Sequence, residues 1–134
     1  MIFLLDTNVC INYLRGKNVL LKQRVDAHQP IDLGLCSVVL AELYYGAAMS
    51  NQPNVQHGKV QKFVHGFVSL PFDDLSAERF GDLRAHLDKL GTPIGPYDLM
   101  IAAIALTNGL TVVTHNTSEF SRVPGLSLED WQLP

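Results

Sequence analysis

The amino-acid sequence predicts a three-layer α/β/α domain with a central, mostly parallel sheet of four to five strands. Short apolar runs bounded by polar turn-forming residues alternate with segments of helical periodicity, which is typical of a parallel sheet covered by helices. The first run, Ile2 to Leu5, is continuously apolar, as in a strand buried on both faces. The chain has 134 residues, and we expect one domain, residues 1–134, because this length is too short for two cores.

The composition is that of a globular protein, with 47% hydrophobic and 17% charged residues. No apolar run approaches the roughly 18 residues of a membrane span, and the N-terminal run is too short for a signal peptide, so we expect a cytoplasmic protein without membrane contact. Cys10 and Cys36 match no zinc-binding spacing and are interpreted as reduced core residues. The net charge of −3 gives no overall attraction to nucleic acid, which would need a local basic patch or bridging metal ions.

The first half of the chain supplies two strands and four helices. The first strand stops at Asp6, and Thr7 or Asn8 is expected to cap the helix that follows. Ser37 is a good N-cap for a helix that carries Glu42 in its second turn, from where the side chain can point back toward the strand ends. The other predicted elements are helices Val9–Leu14, Val19–Val25 and Val55–Gly66 and strand Ile31–Leu35.

The second half supplies three strands and two helices. Pro71 falls within the first of these strands and favours an edge position for it. The second helix is apolar all round, as a buried helix is. Trp131, near the end of the chain, is expected to seal the sheet edge. The predicted elements are strand Phe67–Phe72, a helix capped by Ser76 and running Ala77–Leu90, a helix from Gly95 to Asn108, and strands Leu110–Thr114 and Leu126–Leu128.

Three carboxylates, Asp6, Glu42 and Asp98, interrupt the most apolar parts of the chain. Ionised carboxylates are seldom buried without a partner because their desolvation is costly, so a positive group should hold them. Asp6 taken alone is equally well explained as a helix cap, and it is the repetition that indicates a site. Ligands bind beyond the carboxyl ends of parallel strands. We therefore expect the three to meet there with Asn116 and Glu119, which follow the strand after Asp98.

Such a cluster of oxygen donors suits a hard cation, Mg²⁺ or Mn²⁺, whereas zinc would favour His or Cys. A metal ion held by carboxylates activates water and neutralises a phosphate under in-line attack, and two ions roughly 4 Å apart do both. The pattern therefore predicts hydrolysis of phosphodiester bonds with no covalent protein intermediate, and it leaves the number of ions open.

Four segments resemble the four motifs of PIN-domain ribonucleases, and more narrowly those of the VapC-type toxins of bacterial toxin–antitoxin pairs. The segments are Leu5–Asn8, Ser37–Gly46, Gly95–Asp98 with its apolar helix, and Thr114–Phe120. Each motif alone is weak, but all four occur in order and with intact spacing over essentially the whole chain. The resemblance implies that the α/β/α domain is PIN-like.

The resemblance further implies a metal-dependent endoribonuclease that hydrolyses RNA phosphodiester bonds, with a structured RNA such as a tRNA as substrate and Mg²⁺, or Mn²⁺ as a substitute, as cofactor. It also implies a VapB-type antitoxin that blocks the site and binds operator DNA, which the toxin would meet only through this partner. The helix around Leu40–Ala48 looks too apolar for one sheet face alone, and a second subunit or the antitoxin would cover it. We expect a homodimer.

Carried over residue by residue, the resemblance places Asp6, Glu42 and Asp98 on the family's acidic positions. At the fourth position, Asn116 stands where many members carry Asp, and Glu119 comes one helical step later. Either residue is expected to complete the catalytic set. Asp6 and Asp98 are the expected metal ligands, with Glu42 and Glu119 as further ones.

Several neighbouring polar residues have other expected roles. Thr7 and Thr114 are expected to hydrogen-bond the carboxylates and steady them. His115 alternates with Asn116 in an extended segment and is left out of the site. Two sets of basic residues would suit RNA phosphates but are interpreted as solvated helix faces: Arg79, Arg84 and Lys89 on one helix, and Lys59 and Lys62 on another.

Two other functions compete with this interpretation. A haloacid-dehalogenase-like phosphatase also begins with a strand that ends in Asp, but its usual second Asp is Asn8 here, and no lysine stands near the third motif. A non-catalytic partner-binding domain would be favoured if the carboxylates were only helix caps and the apolar helices served only a partner.

Overall fold

Five strands form one sheet in the computed structural model of the protein, which describes residues 1–134. The strand order is β3-β2-β1-β4-β5, and every neighbouring pair is parallel. The sequence predicted four to five mostly parallel strands, and this is confirmed. The strands are β1 (Phe3–Leu5), β2 (Leu33–Cys36), β3 (Val68–Leu70), β4 (Thr111–Val113) and β5 (Leu128–Glu129).

Helices cover both faces of this sheet, so the predicted three-layer α/β/α architecture is confirmed. None of them combines the length and the apolar character that crossing a membrane requires. The helices are α1 (Thr7–Arg15), α2 (Val19–Ala27), α3 (Ser37–Ala48), α4 (Pro53–Val64), α5 (Asp74–Leu90), α6 (Pro96–Asn108) and α7 (Thr117–Phe120), and a 3₁₀ turn spans Pro30–Asp32.

The core lies between the central strands and the helices. Leu4, Leu5 and Val112 are fully buried, as expected for strands covered on both faces. Helix α6 is also buried over Ile101–Ala105, in agreement with its apolar sequence. Cys10 and Cys36 are buried and not disulfide-bonded, as predicted.

The predicted N-caps of α5 and α3 are wrong. The backbone N–H of Ser76 donates to Asp73 Oδ1 at 2.9 Å, so Asp73 is the cap and α5 begins at Asp74. Ser37 is the first residue of α3, whose N-cap is Cys36, and its hydroxyl faces the Leu70 carbonyl oxygen at 3.5 Å. The strand before α3 also begins later than predicted, because the 3₁₀ turn occupies Pro30–Asp32.

Two predictions concern the edges of the sheet: the one for β3 is confirmed, and the one for Trp131 is wrong. Strand β3 is an edge strand, as Pro71 after it indicated. Trp131 packs against Phe3 of the central strand at a ring distance of 5.0 Å and stacks on His28 at 4.5 Å. Trp131 therefore covers the core beside β1. It does not lie at the sheet edge, where the sequence predicted it.

The strand order reverses between β1 and β4. From β1 the chain moves outward to β2 and β3, and it later returns to add β4 and β5 on the other side. In open parallel sheets, ligands bind in the crevice beyond the carboxyl ends of the strands at such a reversal. Asp6 follows β1 and Thr114 follows β4, so both stand at this crevice.

Candidate active site

Asp6 is the carboxylate closest to the core, with 2% of its surface exposed. It is also the N-cap of α1, since the Val9 backbone N–H donates to Asp6 Oδ1 at 2.9 Å. The expectation that Thr7 or Asn8 caps this helix is therefore wrong. The cap bond uses one carboxylate oxygen and leaves Oδ2 for other partners.

Thr114 is the second fixed group at the crevice. Its hydroxyl oxygen accepts the Asn116 backbone N–H at 2.9 Å, and the same hydroxyl faces Asp6. Burial raises the pKa of Asp6 above its usual value, and the Thr114 hydroxyl and the hydrogen bond from the Val9 N–H oppose that shift. The Glu42 carboxylate adds to the increase, so Asp6 carries its charge in an unfavourable environment.

Thr7 connects two elements that are far apart in sequence. It lies in the first turn of α1, and its hydroxyl donates to Glu42 Oε1 at 2.6 Å. Glu42 lies in the second turn of α3, half-buried, and this bond turns its side chain back toward the end of β1. This hydrogen bond therefore fixes the Glu42 carboxylate near that of Asp6.

Asp98 occupies the first turn of α6 and is half-buried. Burial raises its pKa to about 6, with further contributions from the negative charges of Asp6, Glu42 and Glu119, while the Asn116 amide lowers it. Because Asp98 interacts with all three other carboxylates, the four acidic side chains share one site.

Asn116 and Glu119 lie side by side at the start of α7. The Asn116 side-chain amide donates to Glu119 Oε2 at 2.7 Å, and it also lowers the pKa of Asp98. Glu119 thus supplies the fourth negative charge, and Asn116 supplies a neutral donor between two acids. Sequence reasoning left open which of the two occupies this position, and the structure brings both to it.

No lysine or arginine pairs with any of the four carboxylates, since the salt bridges of the chain involve Lys22, Arg84 and His115. No three His, Cys, Asp or Glu side chains stand close enough to enclose a metal ion by direct bonds alone. Mg²⁺ keeps several waters and binds proteins through one or two carboxylates, so an open set of oxygen donors fits this kind of ion. Zinc would require nitrogen or sulfur ligands that the site lacks.

Asp130 is a nearby acid that sequence reasoning missed. It follows β5, and its charge contributes to the raised pKa of Asp6. Its Oδ2 lies 2.9 Å from His115 Nδ1, and its Oδ1 accepts the Gln132 backbone N–H at 3.0 Å. The position of Asp130 directly after a strand, like that of Asp6, could have indicated it from the sequence. His115 therefore faces Asp130, in keeping with its omission from the candidate site.

At neutral pH and without metal, Asp98→Asn is expected to raise the melting temperature. Since the folded pKa of about 6 exceeds the ordinary 3.8, protonated Asp98 favours the folded state, and this contribution is lost as pH rises from the lower value through the higher. An Asn side chain at position 98 has no charge, so the variant does not lose this stability as the pH rises. Thermal melts in EDTA should be recorded between about pH 4 and about pH 8. The melting temperature of Asp98→Asn should rise relative to that of the wild type up to about pH 6, and the difference should persist at higher pH.

Exposed Asp88 provides the control for that experiment, because Asp88→Asn removes the same charge from the surface of α5. Adding Mg²⁺ should raise the melting temperature of the wild type more than that of Asp98→Asn. A lower melting temperature for Asp98→Asn than for the wild type in EDTA at neutral pH would contradict the mutual repulsion inferred here.

Comparison with known proteins gives consistent matches along the chain. The family model described as PIN domain matches residues 3–126. A tRNA(fMet)-specific endonuclease VapC from Shigella flexneri is 41% identical over 129 residues, covering 96% of this chain and 97% of the relative. Ribonuclease VapC2 from Rickettsia felis is 33% identical over 139 residues, covering 98% of both chains.

Solved structures also match this chain over nearly its whole length. A chain of a DNA-bound VapBC crystal structure from Salmonella typhimurium superposes with a TM-score of 0.92 at 40% identity, over 98% of each chain. A VapBC-1 structure from nontypeable Haemophilus influenzae gives a TM-score of 0.89 at 29% identity, over 99% of this chain and all of the other. With the family model, the curated relatives and these structures in agreement, the chain belongs to the PIN-domain family and, within it, to the VapC proteins.

Proposed function

We propose that this protein is a metal-dependent endoribonuclease that acts as the toxin of a toxin–antitoxin pair. The observation that carries the proposal is the set of four carboxylates, Asp6, Glu42, Asp98 and Glu119, which share one crevice without a cationic side chain. Ionised carboxylates that lie together without a positive partner repel one another, and their burial is costly. A bound divalent cation supplies that partner.

The proposed ligands are Asp6 and Asp98, with Glu42 and Glu119 contributing through water, and Mg²⁺ as the ion, replaceable by Mn²⁺. When bound, the ion supplies an activated water and charge neutralisation at the phosphate. The protein's own groups position the site. Thr7 holds Glu42, the Asn116 amide holds Glu119, and the Val9 N–H and Thr114 hold Asp6.

The substrate that we propose is a structured RNA such as a tRNA, as in the relative named for tRNA(fMet). We also propose a VapB-type antitoxin as partner, operator DNA contacts only through that antitoxin, a homodimer of this chain, and a cytoplasmic location. The two VapBC structures described above, one of them bound to DNA, support the partner assignment.

Cleavage of RNA by the purified protein tests this proposal. With Mg²⁺ we expect discrete fragments from a tRNA pool, EDTA should stop cleavage, and adding back Mg²⁺ or Mn²⁺ should restore it. Because water is the attacking group, the fragment ends should carry no 2′,3′-cyclic phosphate. Cleavage that persists in EDTA would contradict the proposal, and an absence of cleavage under all conditions would favour a non-catalytic partner-binding domain.

A further inference from the structure

A cleft of about 900 Å³ opens beside the candidate active site, between α1, α3 and α4. Glu42 lies on its wall, so one carboxylate of the candidate active site also lines the cleft. Three basic side chains, Arg15, Lys59 and Lys62, also line it. We propose that these three form a subsite that binds phosphates of the RNA beside the cleaved bond, an inference that rests on the proposed function.

The charge of the cleft differs from that of the whole molecule. The chain carries a net charge of −3, yet the cleft wall has three cations and one carboxylate. None of the three cations forms a salt bridge, so their charges remain available to a ligand. An RNA strand that approaches four carboxylates is repelled by them, and adjacent cations offset that repulsion.

Helix α4 directs its basic residues toward the cleft. Gln56, Lys59, Val60 and Phe63 line the cleft at the spacing of one helix face. Val60 is buried and Phe63 is half-buried against the core, so this face of α4 is fixed by packing. Lys59 and Lys62 are exposed, as the sequence interpretation of a solvated helix face expects, and they also line the cleft.

Helix α1 connects the carboxylate crevice to the far end of the subsite. Thr7 at its start holds Glu42, and Arg15 is its last residue. Eight helical steps of 1.5 Å separate the two residues by about 12 Å. A nucleic-acid backbone with one phosphate per roughly 3.4 Å of rise covers that distance in a few nucleotides. A strand cut at the crevice is therefore long enough to reach Arg15 within a few nucleotides.

The test is a triple variant, Arg15→Gln with Lys59→Gln and Lys62→Gln. We expect KM for tRNA to rise by more than about 10-fold with little change in kcat, because the subsite binds substrate and does not touch the reacting atoms. In an Asp6→Asn background, which leaves RNA intact, fluorescence anisotropy should show the slope of log affinity against log salt reduced by about 2.

A second triple variant, Arg79→Gln with Arg84→Gln and Lys89→Gln, is the matched control. It removes the same charge from α5, away from the cleft, and it should change KM by less than about twofold. Thermal melts should show all of these variants folded.

The outcomes separate this inference from the proposed function. If the wild type cleaves tRNA and the cleft variant behaves like the control variant, the subsite is overturned and the nuclease assignment stands. If the wild type cleaves no RNA, the proposed function itself fails. If the cleft variant cleaves normally but is no longer inhibited by a protein partner, the cleft binds that partner and the RNA subsite is overturned.

Discussion

Asp6→Asn is expected to lower the rate of RNA cleavage by more than about 100-fold while leaving the protein folded, since the loss of even an outer-shell partner of a metal ligand costs 10- to 100-fold. Asn caps helices as well as Asp does. The substitution therefore keeps the bond from the Val9 N–H and removes only the negative charge. Single-turnover cleavage of a labelled tRNA with Mg²⁺ measures the effect.

Two further variants separate the roles of Asp6. Asp6→Ala removes both the charge and the helix cap, so it should lose cleavage equally and lose about 1 kcal/mol of stability as well. Asp88→Asn, prepared in the same way, should cleave like the wild type and so show that losing one negative charge elsewhere has no effect, because Asp88 lies on the surface of α5. The loss of cleavage in Asp6→Asn prepared in the same way excludes a contaminating nuclease. A folded Asp6→Asn that cleaves at the wild-type rate would refute the assignment of this carboxylate to catalysis.

The sheet and its order of elements are predictable from this sequence because the apolar runs are short and distinct. Leu4 and Leu5 lie in a short apolar run of the kind that a strand covered on both faces contains. Helix caps are less predictable, because Asp73 and Ser76 are both good capping residues and lie three positions apart. The tertiary structure selects Asp73, whose carboxylate accepts the Ser76 N–H.

The candidate site is predictable in part for a similar reason. Carboxylates within apolar segments are conspicuous, and Asp6, Glu42 and Asp98 meet at one crevice as expected. The partners that hold them are not visible in the sequence. The bond from Thr7 to Glu42 spans 35 positions, and Asp130 approaches Asp6 only because β5 is added next to β4. Such contacts follow from topology, which no local pattern encodes.

Expression of this protein without a protein partner is expected to arrest bacterial growth, and Asp6→Asn should abolish the arrest. The reason is catalytic turnover. At about 1 s⁻¹, the low end of typical turnover numbers, one molecule would cleave on the order of 10³ RNA molecules in a division time of about 20 minutes. A few copies would therefore deplete an essential RNA, whereas a binding domain would have to match its target in number.

Plating after induction measures this effect, and colony numbers should fall by more than about 100-fold for the wild type and remain unchanged for Asp6→Asn at equal protein level. The cleft variant with Arg15, Lys59 and Lys62 replaced by Gln should arrest growth only at higher expression, because a weaker KM is overcome by more enzyme. If cells tolerate the wild type at a level where its extracts cleave tRNA in the tube, the toxin role is refuted while the nuclease activity stands. A graded response across these three proteins would connect growth arrest to RNA cleavage at the carboxylate crevice.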